Sequence, residues 1–155
     1  MKRTNLLAAC ILATTAIAAA LAGSAGAAQT ARASSVAKIQ LRHTSLGKIL
    51  VDSSGFTLYR FTRDTARKDM CVTISGCPGT WPALSTGGKP TAGPGVKASL
   101  LSTITLPDGA KQVTYAGHPL YRYASASERG ETVYVGAIQF GGTWLAVNAT
   151  GGFIR

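Results

Sequence analysis

Asp64 is the polar residue of this chain with the most scope for chemistry. It follows Tyr59-Arg60-Phe61-Thr62-Arg63, and Asp69 lies five positions further on. Two carboxylates so spaced suit a bound cation or an acid/base pair, and the latter needs one carboxyl with a raised pKa. Arg60, Arg63, Arg67 and Lys68 crowd the same stretch. Nearby opposite charge favours the ionised form, so the sequence predicts an ionised, charge-paired Asp64. The expected role is structural: a carboxylate just after a strand accepts backbone N–H groups and fixes the start of the segment that follows.

Other reactive types are sparse. His43 and His118 are the only histidines, 75 positions apart. With Met70 they are a conceivable set for copper or haem iron, but their spacing does not support it. Gly76 to Gly79 and Gly141-Gly142 precede no predicted helix, as a phosphate cradle requires. No nucleophile triad is visible, and six acids without an evident pair give glycoside hydrolysis little footing. Tyr59 and Phe61, and again Tyr121 and Tyr123, have the period of two that puts both rings of a pair on one face of a strand. Such rings are either an aromatic platform for a sugar or core with cross-strand partners. The expectation is core, because Leu58, Arg60, Leu120 and Arg122 must occupy the opposite face. Trp81 and Trp144 read the same way.

The elements that must position these residues are repeated. GKILVDSSGFTLYRF from Gly47 aligns without gaps on GAKQVTYAGHPLYRY from Gly109, with identities at Val51/Val113, Gly55/Gly117, Leu58/Leu120, Tyr59/Tyr121 and Arg60/Arg122. One inserted residue later, Gly79-Thr80-Trp81 recurs as Gly142-Thr143-Trp144. Repeats of this kind bury their apolar faces against one another. Short, β-branched and aromatic apolar runs punctuated by Gly and Pro predict an all-β fold, a compact single domain of two pseudo-symmetric β-hairpin repeats at about 47–81 and 109–144. Gly55 and Gly117 are expected at positive φ in the turns. Further strands are expected at Ser99–Thr105, Thr132–Gln139 and Trp144–Asn148, and a half-buried one where Ala37, Ile39 and Leu41 alternate with polar residues. Leu84–Lys97 reads as an exposed Gly/Pro-rich loop.

The ends of the chain set the compartment. Lys2 and Arg3, an apolar run from Leu6 to Ala22, and Ala25-Gly26-Ala27 read as a signal peptide over 1–27, cleaved near Ala27. Residues 28–45 open with AQTARASS and read as a flexible N-terminal segment, with the folded domain over 46–155. Leu7-Ala8-Ala9-Cys10 imitates a lipobox, but the apolar run continues past Cys10, so no lipid anchor is expected there. Export leaves Cys71 and Cys77, an even pair in an oxidising compartment, which predicts a disulfide. Without the first 27 residues, fourteen Lys and Arg face six Asp and Glu. A basic extracellular protein is drawn to anionic envelope polymers or a membrane surface. The charges form no run, so no specific nucleic-acid site is expected.

Tyr59-Arg60-Phe61-Thr62-Arg63-Asp64 resembles the Y-x-[FWY]-x-x-D motif of the secreted-repeat, predicted-lipoprotein family of bacteria, whose function is unknown. The flanking GKILVDSSGFTLYRF, the paired cysteines, Trp81-Pro82 and QVTYAGHPLYRY carry the resemblance from about Leu46 to Val147. It implies a secreted or envelope-attached β-rich module and supplies no catalytic residue. The chain departs from the family in three places. The spacing of Cys71 and Cys77 is longer than C-x-x-x-C. The second motif, Tyr121-Arg122-Tyr123, has Ala126 at the acidic position. The lipobox is misplaced.

These readings converge on a secreted, non-enzymatic envelope or extracellular binding module without a cofactor. A metal- or haem-associated redox accessory protein is the first alternative, and a cell-wall polymer hydrolase the second.

Overall fold

The structure, a computed structural model, describes residues 35–155. The expected signal peptide over 1–27 and its expected cleavage site lie outside the described residues. Lys38–Thr44 (β1) and Gly47–Val51 (β2) pair antiparallel, Leu41 opposite Leu50. The Asp52 carboxylate closes the next turn by accepting the N–H groups of Ser54 (2.8 Å) and Phe56 (3.0 Å). Gly55 sits in that turn at φ +89°, where a side chain would be strained. Tyr59–Phe61 (β3) follows, then a 3-10 turn at Cys71–Thr73 and a one-turn helix, α1, at Cys77–Thr80. Thr91–Ala92 (β4) runs parallel to β1. Leu101–Thr105 (β5), Lys111–Tyr115 (β6) and His118–Pro119 (β7) then repeat the hairpin, with Gly117 at φ +81°. Ile138–Gln139 (β8), Gly142–Val147 (β9) and Phe153–Ile154 (β10) complete the chain.

The repeats exchange partners. β3, which carries Tyr59 and Phe61 of the first copy, pairs with β9 of the second, Phe61 opposite Trp144. Reciprocally, Tyr121 bridges to Ala83, and the N–H of Arg122 donates to the carbonyl of Pro82 (3.0 Å). Tyr59 and Tyr121 exchange both backbone hydrogen bonds, at 3.0 and 2.9 Å, where the two motif segments meet. Gly142-Thr143-Trp144 in β9 is thus the sheet neighbour of the first motif, whereas Gly79 and Thr80 lie in α1 and the residues just after Trp81 bridge to the second motif, so neither copy completes its pairing alone. Strand alternation divides the interior accordingly. Leu58 and Leu120 join an aliphatic cluster with Ile39, Leu50, Val113 and Val147, whereas Tyr59, Phe61 and Tyr121 face an aromatic one with Trp81, Trp144 and both cysteines.

Three expectations are corrected. Residues 38–44 of the segment read as flexible are strand β1, with Ile39 wholly buried. The apolar alternation there outweighs the polar residues before it, and the domain starts well before residue 46. Most of Thr132–Gln139 is not a strand: the N–H of Val135 returns to the carbonyl of Thr132 and that of Ala137 to Tyr134, and Gly136 is at φ +88°. These successive turns leave only Ile138–Gln139 extended. The Leu84–Lys97 segment, though Gly/Pro-rich, buries Leu84, Thr86 and Val96 and contributes β4.

Candidate functional site

The crossing of the two motifs creates one aromatic cluster with the cysteine loop along its side. Trp81 and Trp144 stack face to face, ring centroids 4.1 Å apart and planes 4° from parallel. The flanking rings obey the pseudo-symmetry. Tyr59 meets Trp81 edge-on at 5.0 Å, and Tyr121 meets Trp144 edge-on at 5.1 Å. Phe61 stacks on Trp144 at 4.3 Å, and Tyr123 tilts over Trp81 at 4.9 Å. Gly142 permits the Phe61 stack, because a Cβ there would lie 2.5 Å from the Phe61 ring. The motif rings are therefore core rather than an open platform. Tyr123 alone among them is half-buried, and it continues outward to Tyr134 at 3.8 Å.

Symmetry ends at Asp64. Its Oδ2 accepts the Tyr121 hydroxyl at 2.9 Å, and its Oδ1 accepts the Met70 N–H at 2.9 Å. The second of these fixes the residue before Cys71, where the disulfide to Cys77 closes the loop. Asp69 caps the same loop by accepting the Val72 N–H at 2.8 Å. The charge-paired Asp64 expected from sequence is corrected here. It is only 9% exposed, and the one ion pair among the described residues joins Arg122 to Asp52 at 3.2 Å. Arg63 points elsewhere, donating to the carbonyl of Phe140, and Arg67 and Lys68 are exposed. Burial raises the Asp64 pKa to about 7, and the Asp69 charge adds to that. The hydrogen bonds from Met70 and Tyr121, and then Arg60, oppose the rise. The Tyr121 phenol is pushed far up by burial and by the Asp64 and Asp69 charges.

The related position in the other copy is built differently. Ala126 replaces the acid, and the Tyr59 hydroxyl is buried with no hydrogen-bond partner. Glu131 approaches it closely enough to raise the Tyr59 pKa, after burial itself, yet Glu131 Oε1 is also buried and unpartnered. Sequence alone marked Tyr59, Phe61, Asp64, Tyr121 and Tyr123, and the structure brings all five to this cluster. The hydroxyl–carboxylate pair runs between the copies, so reading either copy separately misses it. His43 lies on β1, His118 on β7 and Met70 before the cysteine loop. Among the described residues no group of three or more His, Cys, Asp or Glu is placed to hold a metal ion.

A family model described as a secreted repeat of unknown function matches residues 41–85 and 102–148. The chain belongs to that family. The two matched spans contain the two hairpins and both Gly-Thr-Trp segments, so the exchanged pairing joins one matched repeat to the other. The protein is a secreted, all-β module with a Cys71–Cys77 disulfide. No curated protein and no solved structure matches it.

Proposed function

We propose that this secreted repeat protein is a non-enzymatic binding module for anionic polymers of the cell envelope. One observation carries the reading: the fold sinks its acids and displays its cations. Asp52, Asp64 and Asp69 are buried and Glu131 is half-buried, which leaves Asp108 and Glu128 as the exposed acids. Twelve of the thirteen Lys and Arg in residues 35–155 are exposed. The surface is thus more one-sidedly positive than the composition, and such a field attracts polyanions over a Debye length of about 10 Å at moderate salt. The non-enzymatic part of the reading rests on Asp64, the acid with the raised pKa. It is only 9% exposed, and both its oxygens are engaged, by the Tyr121 hydroxyl and the Met70 N–H.

The test is titration with long-chain polyphosphate as the probe. Binding is expected at low ionic strength, weakening steeply as salt rises. The Arg67→Glu/Lys68→Glu variant is expected to bind more weakly with an unchanged melting temperature. Absence of binding at low salt would overturn the reading, as would binding indifferent to both salt and charge reversal.

A further inference from the structure

A buried tyrosine–carboxylate pair is open to one-electron chemistry, because electrons cross packed rings without contact between reactants. We propose that the aromatic cluster is a one-electron relay, in which oxidising equivalents received at Tyr134 and Tyr123 pass through the Trp81–Trp144 stack to Tyr121, where Asp64 takes the phenolic proton.

The steps are short and continuous: 3.8 Å from Tyr134 to Tyr123, 4.9 Å to Trp81, 4.1 Å to Trp144 and 5.1 Å to Tyr121 between ring centroids. The outer two rings are half-buried and the inner three are sealed. Nearly parallel indoles at this separation share a positive hole between them, which eases its passage through otherwise costly tryptophan oxidation. Among the sealed rings, the hole comes to rest where oxidation can shed a proton to a hydrogen-bonded acceptor. At Tyr121 the acceptor, Asp64 Oδ2, is already hydrogen-bonded at 2.9 Å. Tyr59 is the pseudo-symmetric alternative, equally close to the stack, but its hydroxyl has no hydrogen-bonded acceptor. The second motif's lost acid therefore gives the relay its direction.

The balance is simple. An extracellular one-electron oxidant, such as a trivalent metal complex or an oxyl radical, gains one electron from the outer tyrosines. Successive transfers refill each ring from the next one inward. The Tyr121 O–H bond breaks, its proton moves to the Asp64 carboxylate, and a neutral phenoxyl radical remains. A reductant returning one electron by the same route restores the phenol.

The experiment uses the mature protein with photogenerated tris(bipyridine)ruthenium(III) as oxidant and persulfate as sacrificial acceptor, read by flash absorption and freeze-quench electron paramagnetic resonance. A long-lived neutral tyrosyl radical is expected in the wild type and lost in Tyr121→Phe, while Tyr59→Phe retains it. Asp64→Asn is expected to lose it too, since the amide cannot take the proton. Trp144→Phe should slow its appearance. A wild-type measurement stands apart from any folding defect in the variants. The yield should rise with pH through about 7, the Asp64 midpoint. Asp69 and Arg60 also face Asp64, and burial, then the Arg60 charge, push the His118 pKa down. An unchanged radical in Tyr121→Phe, or a yield flat between pH 5 and about 9 where Asp64 titrates, would overturn the relay.

Discussion

Phe61 of the first repeat stacks on Trp144 of the second, ring centroids 4.3 Å apart and planes 9° from parallel, directly across the β3–β9 register. That stack joins the copies through both backbone and side chain, and it explains why Gly-Thr-Trp is repeated: the tryptophan of each segment packs against the motif of the other copy. The two indoles differ at their nitrogens. Trp81 Nε1 donates to Gln139 Oε1 at 2.7 Å, whereas Trp144 Nε1 is buried without a partner.

Trp81→Phe should therefore destabilise more than Trp144→Phe, by about 1 kcal/mol, the usual net value of one hydrogen bond. Truncation to alanine at either position should cost about 3–5 kcal/mol. Urea unfolding of the four variants checks both statements, and equal losses for the two phenylalanine variants would contradict the first.

The Cys71–Cys77 disulfide closes a short loop of the aromatic cluster. Free-thiol labelling of the denatured, unreduced protein should find neither Cys71 nor Cys77 labelled. The Cys71→Ser/Cys77→Ser variant should lose about 2 kcal/mol in the chain-entropy account. Loss of the loop should also loosen Asp64, whose Oδ1 holds the Met70 N–H just before Cys71.

Much of this architecture was legible from residue types. The gapless repeat predicted two hairpins, Gly55 and Gly117 predicted positive φ, and the period-two rings predicted a packed face. What escaped the sequence depends on contacts between distant segments. Nothing local in Tyr121 points to a carboxylate 57 positions earlier. The cations near Asp64 suggested an ion pair because they are close in sequence, but the chain turns outward at Arg63, Arg67 and Lys68 while Asp64 turns inward. Thr132–Gln139 carries β-formers, yet Gly130 and Gly136 at positive φ fold it into turns.

Asp52 and Arg122 form an ion pair, but the two partners should matter unequally. The Arg122 side chain is 46% exposed, so its charge is well screened, and Arg122→Ala should cost no more than about 1 kcal/mol. Asp52 additionally accepts two backbone N–H groups in the first hairpin turn. Asp52→Ala leaves those without their partner and should cost about 2–3 kcal/mol. Thermal unfolding of both single variants and the double variant checks the order. If Arg122→Ala proves the more damaging, the turn is not the main role of Asp52.

Asp64 should make this protein lose stability as pH rises from about 4 to about 7. Its pKa in the folded chain is raised to about 7 from 3.8, chiefly by burial. Between those values the folded state holds a proton that the unfolded chain has released, and linkage then makes stability fall with pH. Below about pH 4 both states are protonated and the advantage is fully present. Above about 7 it is gone, and the buried carboxylate is carried as a cost. Asp64→Asn keeps an acceptor for Met70 and a polar partner for Tyr121 without a charge. Its stability should be flat across this window and should exceed the wild type near pH 8. Asp64→Ala leaves the Tyr121 hydroxyl and the Met70 N–H without acceptors, so it should lose about 2–4 kcal/mol at pH 4. Chemical unfolding of the three proteins at pH 4, 6 and about 8 decides the matter. A wild type that gains stability over this range, with Asn flat, would show that Asp64 is ionised and favourably paired in the folded protein, as its neighbours in sequence suggest.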